Sequence, residues 1–167
     1  MRHQEGIDRI MESRLDYQQI APGAVHAMLA LETYVRQSGL ERSLLHLIKT
    51  RASQINGCAY CLEMHTREAR ADGESEERLY LLDAWRESPA YSERERAALA
   101  WTEAVTLVAD SHIPDEVYRA ASQQFTEKEL VDLTIAVIAI NGWNRLAIGF
   151  RALPAKHQVA QRGNSHG

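Results

Sequence analysis

Apolar residues recur along most of this chain at the three- and four-residue spacing of helices that bury one face. Over 22–38 the stripe is Val25, Met28, Leu29, Leu31 and Val35, with Pro22 suited to a first helical turn and Gly39 to the stop. Leu44, Leu45, Leu47, Ile48, Ala52 and Ile55 give 40–54 a broad apolar face, and Asn56-Gly57 breaks it. Helices over 58–71 and 74–85 follow. The first ends near Asp72-Gly73, and the second turns Leu79, Leu81, Leu82 and Trp85 inward. Ser92 with Glu95, and Thr126 with Glu129, have the spacing of capping boxes that open helices. The first of these helices runs over 93–109, with Trp101 in its apolar stripe. Pro114 opens a shorter helix to about Gln124. Residues 14–20 alternate loosely ahead of Pro22 and read as extended.

The stretch 130–140 differs from the rest, being apolar nearly all round. A helix facing a single core needs only a stripe, so this one is expected to be covered on several sides, in part by another subunit. Asn141-Gly142 is expected to interrupt it, with 143–153 continuing after a kink. Ile140-Asn141-Gly142 also echoes Ile55-Asn56-Gly57. No strand-like alternation of useful length occurs. The expectation is an all-α bundle of about seven helices with a helix–CxxC–helix core, assembled as a homo-oligomer. Residues 1–13 read as an N-terminal arm, 14–153 as the domain and 154–167 as a disordered tail.

Composition narrows the function. The 167 residues make one domain, 45% hydrophobic, with a net charge of −4 and no basic stripe, which argues against a nucleic-acid partner. No apolar run reaches the roughly eighteen residues of a membrane span, and no apolar signal core follows Met1. The expected compartment is the cytoplasm, where a CxxC pair carries redox or metal chemistry rather than a structural staple.

Both cysteines lie in Cys58-Ala59-Tyr60-Cys61, and His65 follows four residues later. On a helix Cys58, Cys61 and His65 share one face, and His65 at i+4 reaches toward the Cys61 sulfur. Asn56 is placed to cap that helix. Three readings compete: two buried thiols with a surface histidine; a zinc site with His46 or an acidic residue as fourth ligand; and a redox-active dithiol, in which one thiolate attacks and the other resolves the product as a disulfide. The dithiol is the main reading. The helix dipole favours Cys58 as attacker and the neighbouring base favours Cys61. A histidine takes the proton outright, so Cys61 is assigned as attacker and Cys58 as resolver.

The run 47–61 (Leu47-Ile48-Lys49-Thr50-Arg51-Ala52-Ser53-Gln54-Ile55-Asn56-Gly57 and the CxxC), with His65, Ala69 and Gly73 after it, resembles the AhpD-like alkylhydroperoxidases of the carboxymuconolactone decarboxylase family. The resemblance extends through Ala100-Trp101-Thr102-Glu103-Ala104 and Ile140-Asn141-Gly142-Trp143-Asn144-Arg145. It implies an all-helical oligomer whose dithiol reduces peroxides, with Cys61 attacking and His65 in a proton relay. It implies no metal or organic cofactor, and a partner dithiol (a thioredoxin-like or lipoyl protein) as reductant. One position departs from the pattern. Twelve residues before the first cysteine the family usually has a glutamate, and here stands His46. Glu103 is a candidate compensating carboxylate. Tyr60, between the cysteines, is a candidate pocket residue, and Trp143, Asn144 and Arg145 either line the pocket mouth or pack. The expected activity is reduction of organic hydroperoxides through a Cys61 sulfenic acid and a Cys58–Cys61 disulfide. Protein disulfide reduction, a non-enzymatic redox sensor and decarboxylase-like chemistry on a lactone acid are the alternatives.

Overall fold

The structure, a computed structural model, describes residues 12–154; the arm expected over 1–13 and the tail over 154–167 lie almost wholly outside them. Among the described residues there are nine α-helices and no strand. They are α1 (Tyr17–Ile20), α2 (Pro22–Gln37), α3 (Arg42–Asn56), α4 (Ala59–Ala71), α5 (Glu76–Leu81), α6 (Glu93–Thr106), α7 (Val108–Ser111), α8 (Asp115–Gln124) and α9 (Glu127–Phe150). A short 3₁₀ turn, Leu82–Ala84, follows α5. The all-α class stands, with two four-residue turns of helix beyond the main elements.

The helix starts follow local chemistry. Both capping boxes form: the Ser92 and Thr126 hydroxyls accept the Glu95 and Glu129 backbone N–H groups, and each glutamate accepts the cap residue's own N–H. The segment read as extended, 14–20, instead holds α1. Asp16 accepts the N–H groups of Gln18 and Gln19, which gives the chain one helical turn before Pro22.

α3 and α9 are the central pair. α3 packs against α4, α6 and α9, while α9 also meets α2 and α6. Their main core joins Val35, Leu44, Ile48, Ala98, Leu133, Ala136 and Val137. Trp85 sits in a second cluster with Leu47, Leu82 and Leu99. By length and composition alone α9 could pass for a membrane span. It is instead the core helix, with Leu133, Ala136, Val137, Ala139 and Ile140 fully buried in this domain. Its far side leaves Val131, Ile138 and Ile148 about half exposed.

The expected interruption at Asn141-Gly142 does not occur, and α9 runs unbroken to Phe150. The Asn141 amide bonds back to the Val137 carbonyl (2.9 Å) and across to the Thr106 hydroxyl (3.0 Å), so it supports the helix instead of capping a new one. At Gly142 a Cβ would come 2.8 Å from the Met28 Cε, so the missing side chain serves close packing of α2 on α9. The end of α9 is closed from the other end of the domain. The Arg14 N–H donates to the Phe150 carbonyl (3.0 Å), the Arg14 guanidinium donates to the Gly149 carbonyl (2.9 Å), and the Tyr17 ring rests on Phe150.

Candidate active site

The dithiol is built at the junction of α3 and α4. Asn56 is the last residue of α3, not the cap of the next helix. Gly57 follows at φ 67°, a left-handed conformation that glycine adopts at little cost. The Gly57 N–H bonds to the Gln54 carbonyl (3.1 Å) and the Cys58 N–H to the Ser53 carbonyl (3.0 Å), a Schellman closure of α3. The chain then restarts at once, and Cys58 is itself the N-cap of α4. Its sulfur accepts the backbone N–H of Cys61 at 3.4 Å. Cys58 thus stands one position ahead of the first turn in which the sequence placed it. Both thiols are free and each is 1% exposed. They share a small cluster with Ala52, Ile140 and Ala147, so α9 forms their back wall.

The two sulfurs are not equivalent. Hydrogen bonding from the Cys61 side chain lowers Cys58 to about 7, with further help from the Cys61 and Tyr60 backbone N–H groups and the Asn144 amide. The Cys61 thiol is pushed up, because it donates to the Cys58 sulfur and is buried. The first negative charge of the pair therefore forms on Cys58. Access runs the other way: Cys61 lines a cavity of about 690 Å³, and Cys58 does not.

The cavity has an apolar wall that includes Leu29, Leu45, Met64 and Trp143. Tyr17 and Tyr60 line it as well, each with a phenol raised above its ordinary value chiefly by burial. Its polar groups come as pairs. His65 Nδ1 lies 3.1 Å from Glu68 Oε2, and that contact holds the Glu68 carboxyl below its ordinary range. His46 Nε2 lies 2.5 Å from Asp72 Oδ2, which also accepts from Arg42 (2.7 Å). Lys49 and Glu32 form a buried ion pair at 2.5 Å. The direct His65-to-sulfur hydrogen bond that the i,i+4 spacing predicted is not made; the imidazole turns toward Glu68, one turn further on.

Glu103 stands elsewhere. It is not in the cavity wall, and its carboxylate accepts from Arg51 (2.8 Å), Trp85 Nε1 (2.9 Å) and Arg86 (2.6 Å). Burial works to raise its pKa, but these three donors outweigh it and hold the group low. It is the hub joining α3 to the segment after α5. The carboxylates beside the two histidines are Glu68 and Asp72, which sequence reasoning missed. His65 and Glu68 are three apart, so helical spacing was the available signal. Nothing local marks Asp72 as the partner of His46.

The triplet 143–145 divides three ways. Trp143 lines the cavity, Asn144 is fully buried behind the sulfurs, and the Arg145 guanidinium bonds back to Asn141 (3.0 Å). Among the described residues, no group of three or more histidine, cysteine or acidic side chains is arranged to hold a metal ion.

A model of the carboxymuconolactone decarboxylase family matches residues 22–104. The chain is 44% identical to the uncharacterized protein YdfG of Bacillus subtilis, over 83% of this chain and 94% of that one. It is 48% identical to a solved protein of unknown function from Agrobacterium tumefaciens, suggested to be the antioxidant defence protein AhpD; the match covers 86% of this chain and 98% of that one at a TM-score of 0.84. The debrominase Bmp8 shares the fold at 19% identity and a TM-score of 0.75, over 86% of this chain and 77% of that one. With a CxxC at the α3–α4 junction and relatives matched over nearly their full length, the chain belongs to the carboxymuconolactone decarboxylase family as an AhpD-like member.

Proposed function

We propose that the protein is a dithiol peroxidase that reduces organic hydroperoxides. The observation that carries this reading is the division of labour between the sulfurs: Cys61 faces the cavity, and Cys58 lies beneath it within reach. Peroxide chemistry uses that asymmetry. One sulfur must meet the substrate, and the other must be covered until a sulfenic acid forms.

In the proposed cycle the pair carries one proton between its two sulfurs. With that proton on Cys58, the Cys61 thiolate attacks the terminal peroxide oxygen. The S–O bond forms, the O–O bond breaks, and the alkoxide leaves as an alcohol after taking a proton from His65, whose other ring nitrogen faces Glu68. Cys58 then attacks the Cys61 sulfenic acid. Water departs, the disulfide forms, and its two electrons are those the peroxide has gained. A second dithiol, thioredoxin-like or lipoyl-bearing, returns both electrons and both protons. His46 with Asp72 extends the proton path from the far wall. The cavity's apolar wall suits an alkyl or aryl hydroperoxide. The half-exposed Val131, Ile138 and Ile148 face of α9 fits a second copy of the chain, and a dithiol that must be re-reduced fits the cytoplasm.

The test is turnover of cumene hydroperoxide with excess dithiol. Cys61→Ser should abolish it, and His65→Ala should slow it by about 10²-fold or more. Cys58→Ser should leave a sulfenic acid on Cys61 that a dimedone-type reagent traps. Unchanged turnover in both Cys61→Ser and His65→Ala would sink the mechanism. Stoichiometric oxidation without turnover would favour a sensor instead.

A further inference from the structure

Asn144 is fully buried on α9, between Ile140 and Ala147 on the face that packs against both cysteines. Its side-chain amide is within hydrogen-bonding reach of both sulfurs. An amide presents either an acceptor or a donor, and only the donor favours a thiolate. The surrounding hydrogen bonds decide which.

The polarity is fixed from two independent ends. Arg145 can only donate, and it bonds to Asn141 Oδ1 at 3.0 Å. The Val137 carbonyl can only accept, and it takes the Asn141 Nδ2 at 2.9 Å. Asn141 therefore turns its oxygen toward Asn56, which must answer with its own Nδ2 at 2.9 Å. The second hydrogen of that nitrogen donates to Asn144 Oδ1 at 2.8 Å. From the other side, the Ser53 hydroxyl gives its hydrogen to the Lys49 carbonyl at 2.8 Å. It can then only accept from Asn144, and does so from Nδ2 at 3.1 Å. Both ends place the oxygen of Asn144 on Asn56 and its nitrogen toward Ser53. One N–H remains for the sulfurs.

We propose that Asn144 is the thiolate-holding residue of this dithiol, and that the chain Arg145–Asn141–Asn56 is the positioning device that keeps a donor, not an oxygen, aimed at the sulfurs. The proposal rests on the dithiol being the reactive centre. α9 supplies this contact without adding charge. The titratable groups nearby are Tyr60, His65 and Glu68 on α4, Tyr17 on α1, His46 and Lys49 on α3 and Glu32 on α2. The donated hydrogen bond follows the charge from Cys58 to Cys61 as the pair reacts, so it lowers the cost of moving the thiolate to the cavity side.

The test is the rate of iodoacetamide alkylation of the fully reduced protein against pH, a readout that needs no peroxide. Wild type should titrate near the value of about 7 set at Cys58. Asn144→Ala should move the profile to higher pH and slow alkylation at pH 7 about tenfold, the loss expected for one hydrogen bond to a charged group. Asn144→Asp, nearly isosteric but acceptor-only, should slow it further. Asn56→Ala leaves Asn144 in place with its amide free to turn, and should fall between wild type and Asn144→Ala. If Asn144→Ala does not fold, Asn56→Ala decides. A wild-type profile in a folded Asn144→Ala, or in Asn56→Ala where that variant decides, overturns the proposal. A shifted profile in an enzyme without peroxide turnover would keep it and reject the peroxidase reading.

Discussion

Ile-Asn-Gly occurs twice in this protein, and the two copies do opposite things. At 55–57 the backbone turns into the left-handed region at Gly57, α3 ends, and α4 begins two residues later. At 140–142 the same tripeptide runs through the middle of α9 without a break. The copies touch, since Asn56 donates to Asn141. The tripeptide does not specify the outcome; the next residue and its packing do. Cys58 follows the first copy, and its sulfur can accept the free N–H of Cys61 at a new helix start. Trp143 follows the second. Its indole has only a donor, so it cannot cap, and it turns into the cavity wall. Breaking the helix makes a reactive thiol in one place. Leaving it whole makes the thiol's back wall in the other.

Removing the bridge between the copies should have the largest effect. Asn56→Ala leaves the buried Asn144 oxygen without its donor, and should cost about 2 kcal/mol in urea unfolding. Combined with Asn141→Ala in a double-mutant cycle, the two losses should be clearly non-additive; strict additivity would mean that the copies are not coupled. Gly57→Ala comes next. A Cβ at φ 67° should cost about 1 kcal/mol or somewhat more, and a variant as stable as wild type would refute the left-handed closure. Gly142→Ala should have the smallest effect. The helix gains about 1 kcal/mol from alanine, and the flexible end of Met28 must move aside, so the net change should stay within about 1 kcal/mol of zero. A loss like that of Gly57→Ala would show that the copies are more alike than the backbone indicates.

The contrast also explains what was legible in the sequence. Periodicity gave the helices because each buries one face, and both capping boxes form as their spacing requires. The break at Gly57 was legible, but the unbroken run through Gly142 was not, because Thr106 and Met28 lie far away in sequence and lend it support. Four residues of α1 were misread as extended, since a single turn held by Asp16 has no room for a periodic pattern. Cys58, Cys61 and His65 could be brought together by spacing on one helix. The site's carboxylates could not all be found that way. Glu103 looked promising as a charge in an apolar helix and proved to be spoken for by Arg51, Trp85 and Arg86. Asp72 reaches His46 only through the packing of α4 on α3. Asn144 reads as one polar residue in an apolar helix, and its meaning depends on hydrogen bonds arriving from α3.

The tie between Arg14 and the end of α9 bears on the order of assembly. Ser13 and Arg14 bond to the Phe150 and Gly149 carbonyls across separations of 137 and 135 residues. Tyr17, a wall of the cavity, rests on the Phe150 ring. Contacts so distant in sequence carry a high loop-closure cost and form late. Synthesis from the N-terminus releases Cys58 and Cys61 long before Phe150 exists. The newborn chain thus carries a dithiol without its enclosing wall, and only docking of the last helix shelters it.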